Sequence, residues 1–485
     1  MMDHGHLPVL PLLLGDVPSP LRTWLKQEGI AYRDHLSPGA AGRFVLFDSR
    51  TSVPPTLITG QVAIDVDRLR AASRSDPFDG WLDTGVTQGW WKLGPLSVSE
   101  EIAEIDRREI RERSLRILRG MVEDAGGIWL RLAAFPYPYR GMFNFRIDYD
   151  EYDADDFHAT LAAIADHATA CSHFICGSSY EAHPKALAEL RGCDVGSHGF
   201  HHHTYHDFEA NLRNIHRGIE VLQAAGINPS GFVSPHGRWS TALAQALEQT
   251  GISHSSEFGL AFDELPFWPQ GTRVLQLPVH PVCLGLFLDA ATQREGTDPM
   301  EPRQAADLAA TYFSRVARAK YLAGEPVLLY GHPTRRLGRH PQVLQAVLDE
   351  VSDFSAIWSA TLTEITRWWR ARDAVQVRVW SKQGKVVVQL DRRPARYRLA
   401  GELMRDEHAA VVPLDARIVR FEPGALIFER RTAGNVPRPI RVDRAESMRS
   451  RLKRLIDWER VTPVDEIDTS SLRGWVKRAI RRSRR

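Results

Sequence analysis

The sequence is short of cysteine. Its 485 residues include four, Cys171, Cys176, Cys193 and Cys283. They are too few and too unevenly spaced for a disulfide framework, which points to free thiols in a reducing compartment. Cys171 and Cys176 fall at odd and even positions of one strand-like stretch, so they face opposite ways and should not pair. Long apolar runs are missing as well. No stretch approaches the ~20 residues of a membrane-spanning helix, and the run Leu7 to Leu14 is interrupted by Pro8 and Pro11. No Lys or Arg precedes Arg22, so the opening lacks the basic part of a secretory signal. The expectation is a cytoplasmic protein. Net charge is nearly absent: 62 Lys and Arg against 60 Asp and Glu leave +2, which gives no reason to expect a specific nucleic-acid partner. What remains is an ordinary globular composition, 43% apolar and 25% charged, with length for about three domains of ~100–200 residues.

Residues 1–125 read as a small α/β region. Val9 to Leu14 and Arg43 to Asp48 are strand-like, and Pro20 to Glu28 reads as a helix that Gly29 ends. A long helix is expected from Ser97, with Glu100 completing a capping box, to about Asp124. Its stripe would be Ile102, Ile105, Leu115, Leu118 and Val122. The Gly-rich segment around Trp81, Trp90 and Trp91 shows no readable pattern. Over residues 126–373, strand-like and helix-like segments alternate, beginning with Ile128 to Leu132 and Phe143 to Ile147. Such alternation predicts a parallel sheet wrapped by helices. Residues 374–447 read as a small antiparallel β domain. Alternating valines at 375, 377 and 379 and at 386 and 388 flank the Gly384 turn, and a second hairpin is expected at Ile418 to Phe421 with Leu426 to Phe428. Residues 448–485 read as a basic helical tail.

One stretch carries unusual chemistry. Asp194 to Tyr205 places four histidines within six residues. His198 and His202 stand four apart, so a helical turn would bring both imidazoles to one face, where they could share a metal with an anionic third ligand. Asp148, Asp150, His198, Pro235 and His332 each fall at the carboxyl end of an expected strand. In a closed parallel barrel those ends are where catalytic groups gather.

Taken together, these motifs resemble the polysaccharide deacetylase superfamily, carbohydrate esterase family 4, over the barrel segment. The first family motif is an acidic pair at a strand end, here Asp148-Tyr149-Asp150. The second is His-Ser/Thr-x-x-His, here His198-Gly199-Phe200-His201-His202, with Gly199 in place of the hydroxyl residue. The third is Arg-x-Pro-x-Gly. Pro235-His236-Gly237 is present, but Val233 stands where Arg is expected. Asp263 with Trp268 would be the fourth, and Leu329-Tyr330-Gly331-His332 the fifth.

The resemblance implies a distorted (β/α)7-type barrel. It implies that Asp150, His198 and His202 bind one divalent metal, zinc first, with cobalt, nickel or iron fitting the same ligands. Asp148 would be the general base and His332 the general acid. The backbone N–H of His236, in the Pro235-His236-Gly237 turn, would hold the oxyanion, and Asp263 and Trp268 would contact substrate. With Val233 in the third motif, Asp148 lacks its arginine neighbour unless Arg146 or Arg238 supplies it. His254 and His280 read as structural, and His201 and His203 as outer neighbours.

The implied reaction is hydrolysis of a non-peptide C–N bond, deacylating an amino sugar, a polysaccharide or a lipid-linked glycan. Alternatives are deformylation or cyclic-imide hydrolysis within the superfamily, or an inactive barrel that only binds glycan. In the tail, Leu472, Trp475, Val476, Ala479 and Ile480 follow helical spacing among the seven Lys and Arg of residues 471–485. That pattern suggests peripheral contact with an anionic membrane.

Overall fold

The computed structural model describes residues 7–38, 40–283, 285–292, 300–430, 436–443, 452–453 and 455–483. Parts of the expected segments 1–125, 374–447 and 448–485 lie outside these, among them Arg484 and Arg485.

Eight short parallel strands form the centre. In chain order they are β1 (Gly141–Tyr149), β2 (Cys171–Ile175), β3 (Val195–Ser197), β4 (Gly231–Phe232), β5 (His254–Ser255), β6 (Leu275–Gln276), β7 (Val327–Gly331) and β8 (Ile357–Ser359). Their order is β6-β5-β4-β3-β2-β1-β7, with β8 beside the start of β1. Parallel neighbours need crossover connections. Helices Phe208–Ala224, Thr241–Gln249, Pro302–Leu322 and Pro341–Ser352 lie in the segments between strands. β1 is buried along its whole length, and Phe143, Phe145 and Ile147 contribute about 1.5–3 kcal/mol each by leaving water. The sheet curls until its edges approach, where the His280 N–H donates to the Leu328 carbonyl (3.0 Å). This is the distorted parallel α/β barrel expected from the strand–helix alternation.

Register decides what meets at the mouth. Tyr149, Ile175, Ser197 and Phe232 stand at one level, and Gly331 pairs with Ile147. The residues that follow, Asp150, His198 and His332, therefore leave the sheet at one end and close together.

Elsewhere local patterns misled. Ser97 does not start a helix: Val86–Leu93 and Leu96–Ala103 form an antiparallel hairpin around Gly94. Thr87, Trp91, Leu93, Leu96 and Val98 alternate inward with period two, and that burial outweighs the apparent capping box. The helix starts at Arg107, capped by Asp106, whose carboxylate accepts the Glu109 N–H (3.0 Å). Leu130–Leu132 is a strand but not of the barrel. It pairs antiparallel with Ala400–Arg405, where Arg131 meets Glu402 at 2.6 Å. Ile418–Phe421 pairs with Lys385–Leu390 rather than with its expected partner, and Glu429–Arg430 pairs with His408–Pro413. The Val377–Lys382/Lys385–Leu390 hairpin and the helix Ser19–Glu28, ended by a left-handed Gly29, are as read from sequence. No described helix is long and apolar enough to cross a membrane.

Candidate active site

The mouth of the barrel is built from strand ends. Asp150 follows β1, His198 follows β3, and the loop after His198 returns His202 to the same point. His198 and His202 Nε2 are 3.1 Å apart, and each is 3.2 Å from Asp150 Oδ1. Among the described residues this is the one group of three whose ligand atoms converge as a metal requires. The His198 Nδ1–H donates to the Val233 carbonyl (2.7 Å), which leaves the Nε2 lone pair facing inward. Asp150 Oδ1 is buried with no hydrogen-bond partner. Three lone pairs aimed at one point repel unless a cation lies between them. Two imidazoles and a carboxylate are a donor set that suits a divalent transition metal, so the residues fit the group. Burial pushes the Asp150 carboxyl up, but His332, His198 and His202 outweigh it and hold the group well below the usual range.

Asp148 sits level with His332 and is held by Arg146, two residues back on the same strand. Arg146 Nη2 donates to Asp148 Oδ2 at 2.8 Å, both side chains being nearly inaccessible. The guanidinium also donates to the Ser256 carbonyl (2.6 Å) and lies over the Tyr330 ring at 4.4 Å. Asp148 Oδ1 has no hydrogen-bond partner, so one oxygen is anchored and the other is free to accept a proton. Val233 is fully buried in the apolar core. Of the two arginines considered for the missing third-motif contact, Arg146 makes it, whereas Arg238 lies 3.6 Å from Glu101.

His332 Nε2 is 3.5 Å from Asp150 Oδ2. Its Nδ1 faces Arg336 Nη1 at 2.9 Å. A guanidinium only donates, so Nδ1 accepts and the ring proton resides on Nε2, toward the mouth. Burial pushes this imidazole down to about 4, so the ring is neutral near pH 7.

Two glycines shape the mouth. Gly199 has φ +78°, and a Cβ there would lie 2.7 Å from Asn214 Nδ2, so the hydroxyl residue expected at this position has no room. Gly237 has φ +58°, and a Cβ would meet the Phe258 ring at 2.3 Å. The Pro235–Gly237 turn also holds His236 at φ 60°, with its ring 4.9 Å from that of His202.

Residues 147–255 match the family model described as Polysaccharide deacetylase. This segment is similar to the polysaccharide deacetylase family. No curated protein matches the chain. Among solved structures, one described as a polysaccharide deacetylase from Mycobacterium smegmatis is 19% identical, covering 52% of this chain and 97% of that one at a TM-score of 0.42. A family 4 carbohydrate esterase from Streptomyces lividans, in complex with acetate, is 14% identical over 46% of this chain and 94% of its own, at 0.31. A protein from Bacillus anthracis described as a carbohydrate esterase family 4 pseudoenzyme is 12% identical over 48% and 66%, at 0.33.

The deacetylase-type barrel does not bring every expected residue to its mouth. Asp263 accepts from Lys320 Nζ (2.8 Å) and His280 Nδ1 (2.9 Å). Burial raises its carboxyl, but Lys320 and His280 outweigh that and hold it far below the usual range. Trp268 lies under Lys26 Nζ at 3.9 Å. Asp263 and Trp268, expected as substrate contacts, are engaged by these partners instead. Buried charge demands a partner, and Lys320 lies 57 positions beyond Asp263, which no local motif could reveal. His280 and His254 are buried and structural, as expected.

The tail docks on the loop that carries His198 and His202. Glu466 Oε2 meets His201 Nε2 at 3.0 Å, Asp457 Oδ1 meets His203 Nε2 at 3.0 Å, and the hydroxyls of Thr462 and Tyr205 bond at 2.5 Å. Both neighbours of His202 are thus clamped by residues more than 250 positions downstream. Burial raises the Asp457 carboxyl, but His203 and Lys477 outweigh it and hold it at about 2.

The helix Leu472–Ser483 turns Lys477 and Arg481 inward. Lys477 is buried against Asp457 (3.5 Å) and Glu459 (3.3 Å), and Arg481 donates to the Thr462 carbonyl (2.6 Å). Leu472 and Trp475 point outward, 78% and 60% exposed. Carboxylates await Lys477 and Arg481 on the protein side, while Arg473 and Arg482 stay exposed beside Leu472 and Trp475. Asp457→Asn is expected to weaken metal binding by less than the about 10–100-fold usual for losing the direct partner of a ligand, because Asp457 holds His203, the neighbour of His202. Metal titration followed by competition with a chelator checks this, and an affinity equal to the parent's would show that the clamp does not act on His202.

Proposed function

We propose that the barrel is a metal-dependent amide hydrolase that removes the acyl group from an N-acylated amino sugar in a glycan. The observation that carries this reading is the convergence of Asp150, His198 and His202 beside an Arg146-anchored Asp148 and a neutral His332. Asp150, His198 and His202 would hold one divalent ion, zinc foremost among those the donors suit. When bound, such an ion polarises the amide carbonyl and makes water more acidic.

The chain's own groups would do the rest. Asp148 takes a proton from water on its unpaired Oδ1, while Arg146 fixes Oδ2 and so the carboxylate plane. The His236 N–H, in the Pro235–Gly237 turn, donates to the oxygen that gains negative charge. His332 gives its Nε2 proton to the departing nitrogen and takes back the one held by Asp148, so that the ring ends neutral; the bond from carbonyl carbon to nitrogen breaks, and an amine and a carboxylate leave. Each proton taken from water is returned to the amine or to solvent, so the cycle closes.

With Lys477 and Arg481 engaged in internal contacts, a lipid-linked glycan would be met through Leu472, Trp475 and Arg473. Liposome sedimentation with and without residues 471–485 tests that, equal pelleting of both excluding it.

The protein, loaded in turn with zinc, cobalt and nickel, should release acetate from N-acetylated glucosamine oligomers. Metal bound at one equivalent with no product from acetylated, formylated or cyclic-imide substrates would favour a barrel that binds glycan without hydrolysing it.

A further inference from the structure

A cavity of about 240 Å³ opens where separate parts of the chain meet. Lys26 and Tyr32 come from the helix Ser19–Glu28 and the strand after it. Leu132 comes from the strand that pairs with Ala400–Arg405, and Arg372 and Asp373 end the helix Leu362–Asp373. No residue of its wall falls within 147–255, the segment that resembles the deacetylases, and none belongs to the mouth.

Arg372 sets this cavity apart. It is 1% exposed, with its guanidinium 3.8 Å from the centre of the Trp369 ring. Its Nη2 donates to the Lys26 and Gln27 carbonyls, at 2.8 Å each, in the last turn of the helix Ser19–Glu28. Its Nε and Nη1 are buried with no partner. A guanidinium has five N–H donors, so three are left over. Nor does a carboxylate among the described residues pair with it: Asp373 meets Lys26 at 3.0 Å, and Glu402 meets Arg131 at 2.6 Å. Burial pushes the Arg372 guanidinium down to about 10, and the pull of Asp373 and Glu402 offsets only part of that. A buried charge without a partner is costly, and here it forms part of a cavity wall.

The rest of the wall fits an anion. Its charged members are Lys26 and Arg372 against Asp373 alone, which leaves one positive charge. Lys26 and Asp373 are about one-third exposed at the rim. Burial, with Asp373 beside it, pushes the Tyr32 hydroxyl above its ordinary value, so it stays protonated and able to donate. The volume is below the ~300–1,000 Å³ of pockets for organic ligands, and leaves room for a small ion with its water.

We propose that this cavity binds one small oxyanion of the phosphate type, with Arg372, Lys26 and Tyr32 as donors. The ion would tie the N-terminal region to the end of the helix Leu362–Asp373. This site is independent of the hydrolase reading.

Calorimetric titration of the full-length protein with inorganic phosphate, at low chloride, tests it. One equivalent should bind. Arg372→Gln should weaken binding at least about tenfold, because it removes a charged donor. Lys26→Gln and Tyr32→Phe should each weaken it about three- to tenfold. These two change half-buried positions, and they keep the test open if Arg372→Gln fails to fold. No saturable heat with phosphate, or a parental affinity in both Lys26→Gln and Tyr32→Phe, overturns the site and leaves Arg372 as a clamp on the helix end. Glycerol 3-phosphate forms the second arm and should bind at least about tenfold more weakly, for want of room. Equal binding of the two would overturn the free ion as occupant.

Discussion

Asp148→Asn is expected to lower turnover about 10²–10⁴-fold while bound metal stays at the parent level. Asparagine keeps the shape, and its carbonyl can still accept from Arg146, now 2.8 Å from Asp148 Oδ2. What it loses is the buried, unpartnered Oδ1 as a proton acceptor. Conservation of the metal is the decisive half of the measurement, because Asp148 and Asp150 lie two residues apart and only Asp150 joins the converging ligand atoms. Elemental analysis and acetate release on one preparation separate the cases. If Asp148→Asn lost its metal and regained activity in excess metal, Asp148 would be the ligand and the two aspartates would exchange roles.

Removing a histidine ligand should act the other way. His198→Ala and His202→Ala are each expected to lower metal affinity by more than the roughly 10–100-fold attributed to outer partners, with the fold retained. His198 should be the more damaging, because its ring is held in place by the Nδ1–H bond to the Val233 carbonyl at 2.7 Å. Circular dichroism with metal analysis checks both variants. Full occupancy in His202→Ala would transfer the ligand role to His201, and the clamp between His201 and Glu466 would then have to open.

The barrel and its mouth were legible because their signals are local. Alternating apolar segments, a four-residue histidine spacing and acidic residues at a strand end all lie within short windows. Partner choice was not legible. Ser97 to Ala103 reads as a capped helix in isolation, and only pairing with Val86–Leu93 makes it a strand. The sequence leaves Arg146 and Arg238 as rival neighbours of Asp148, and only the burial of β1 chooses Arg146. Arg336 gives no sign of fixing a proton on His332, although the spacing of four residues offered the clue. Asp263 was read by motif and is held instead by Lys320 and His280. The tail's helical period was visible, but period alone does not say which face meets the protein, and carboxylates at 457, 459 and 466 decided it.

The docking of residues 457–477 on the ligand loop also has a consequence in time. During synthesis the loop emerges long before its clamp: His206 and Asp457 are 251 residues apart (457 minus 206). At ~5–20 residues per second, that interval lasts on the order of ten to fifty seconds. The last barrel strand ends at Ser359, 98 residues before Asp457 (457 minus 359), so all the barrel strands are made while the loop histidines still lack Asp457 and Glu466, and the mouth reaches its final form as a late event of translation. For the same reason an excised barrel is a different object from the whole chain. Weak metal binding by such a fragment would report the missing carboxylates of the tail rather than any defect in Asp150, His198 or His202.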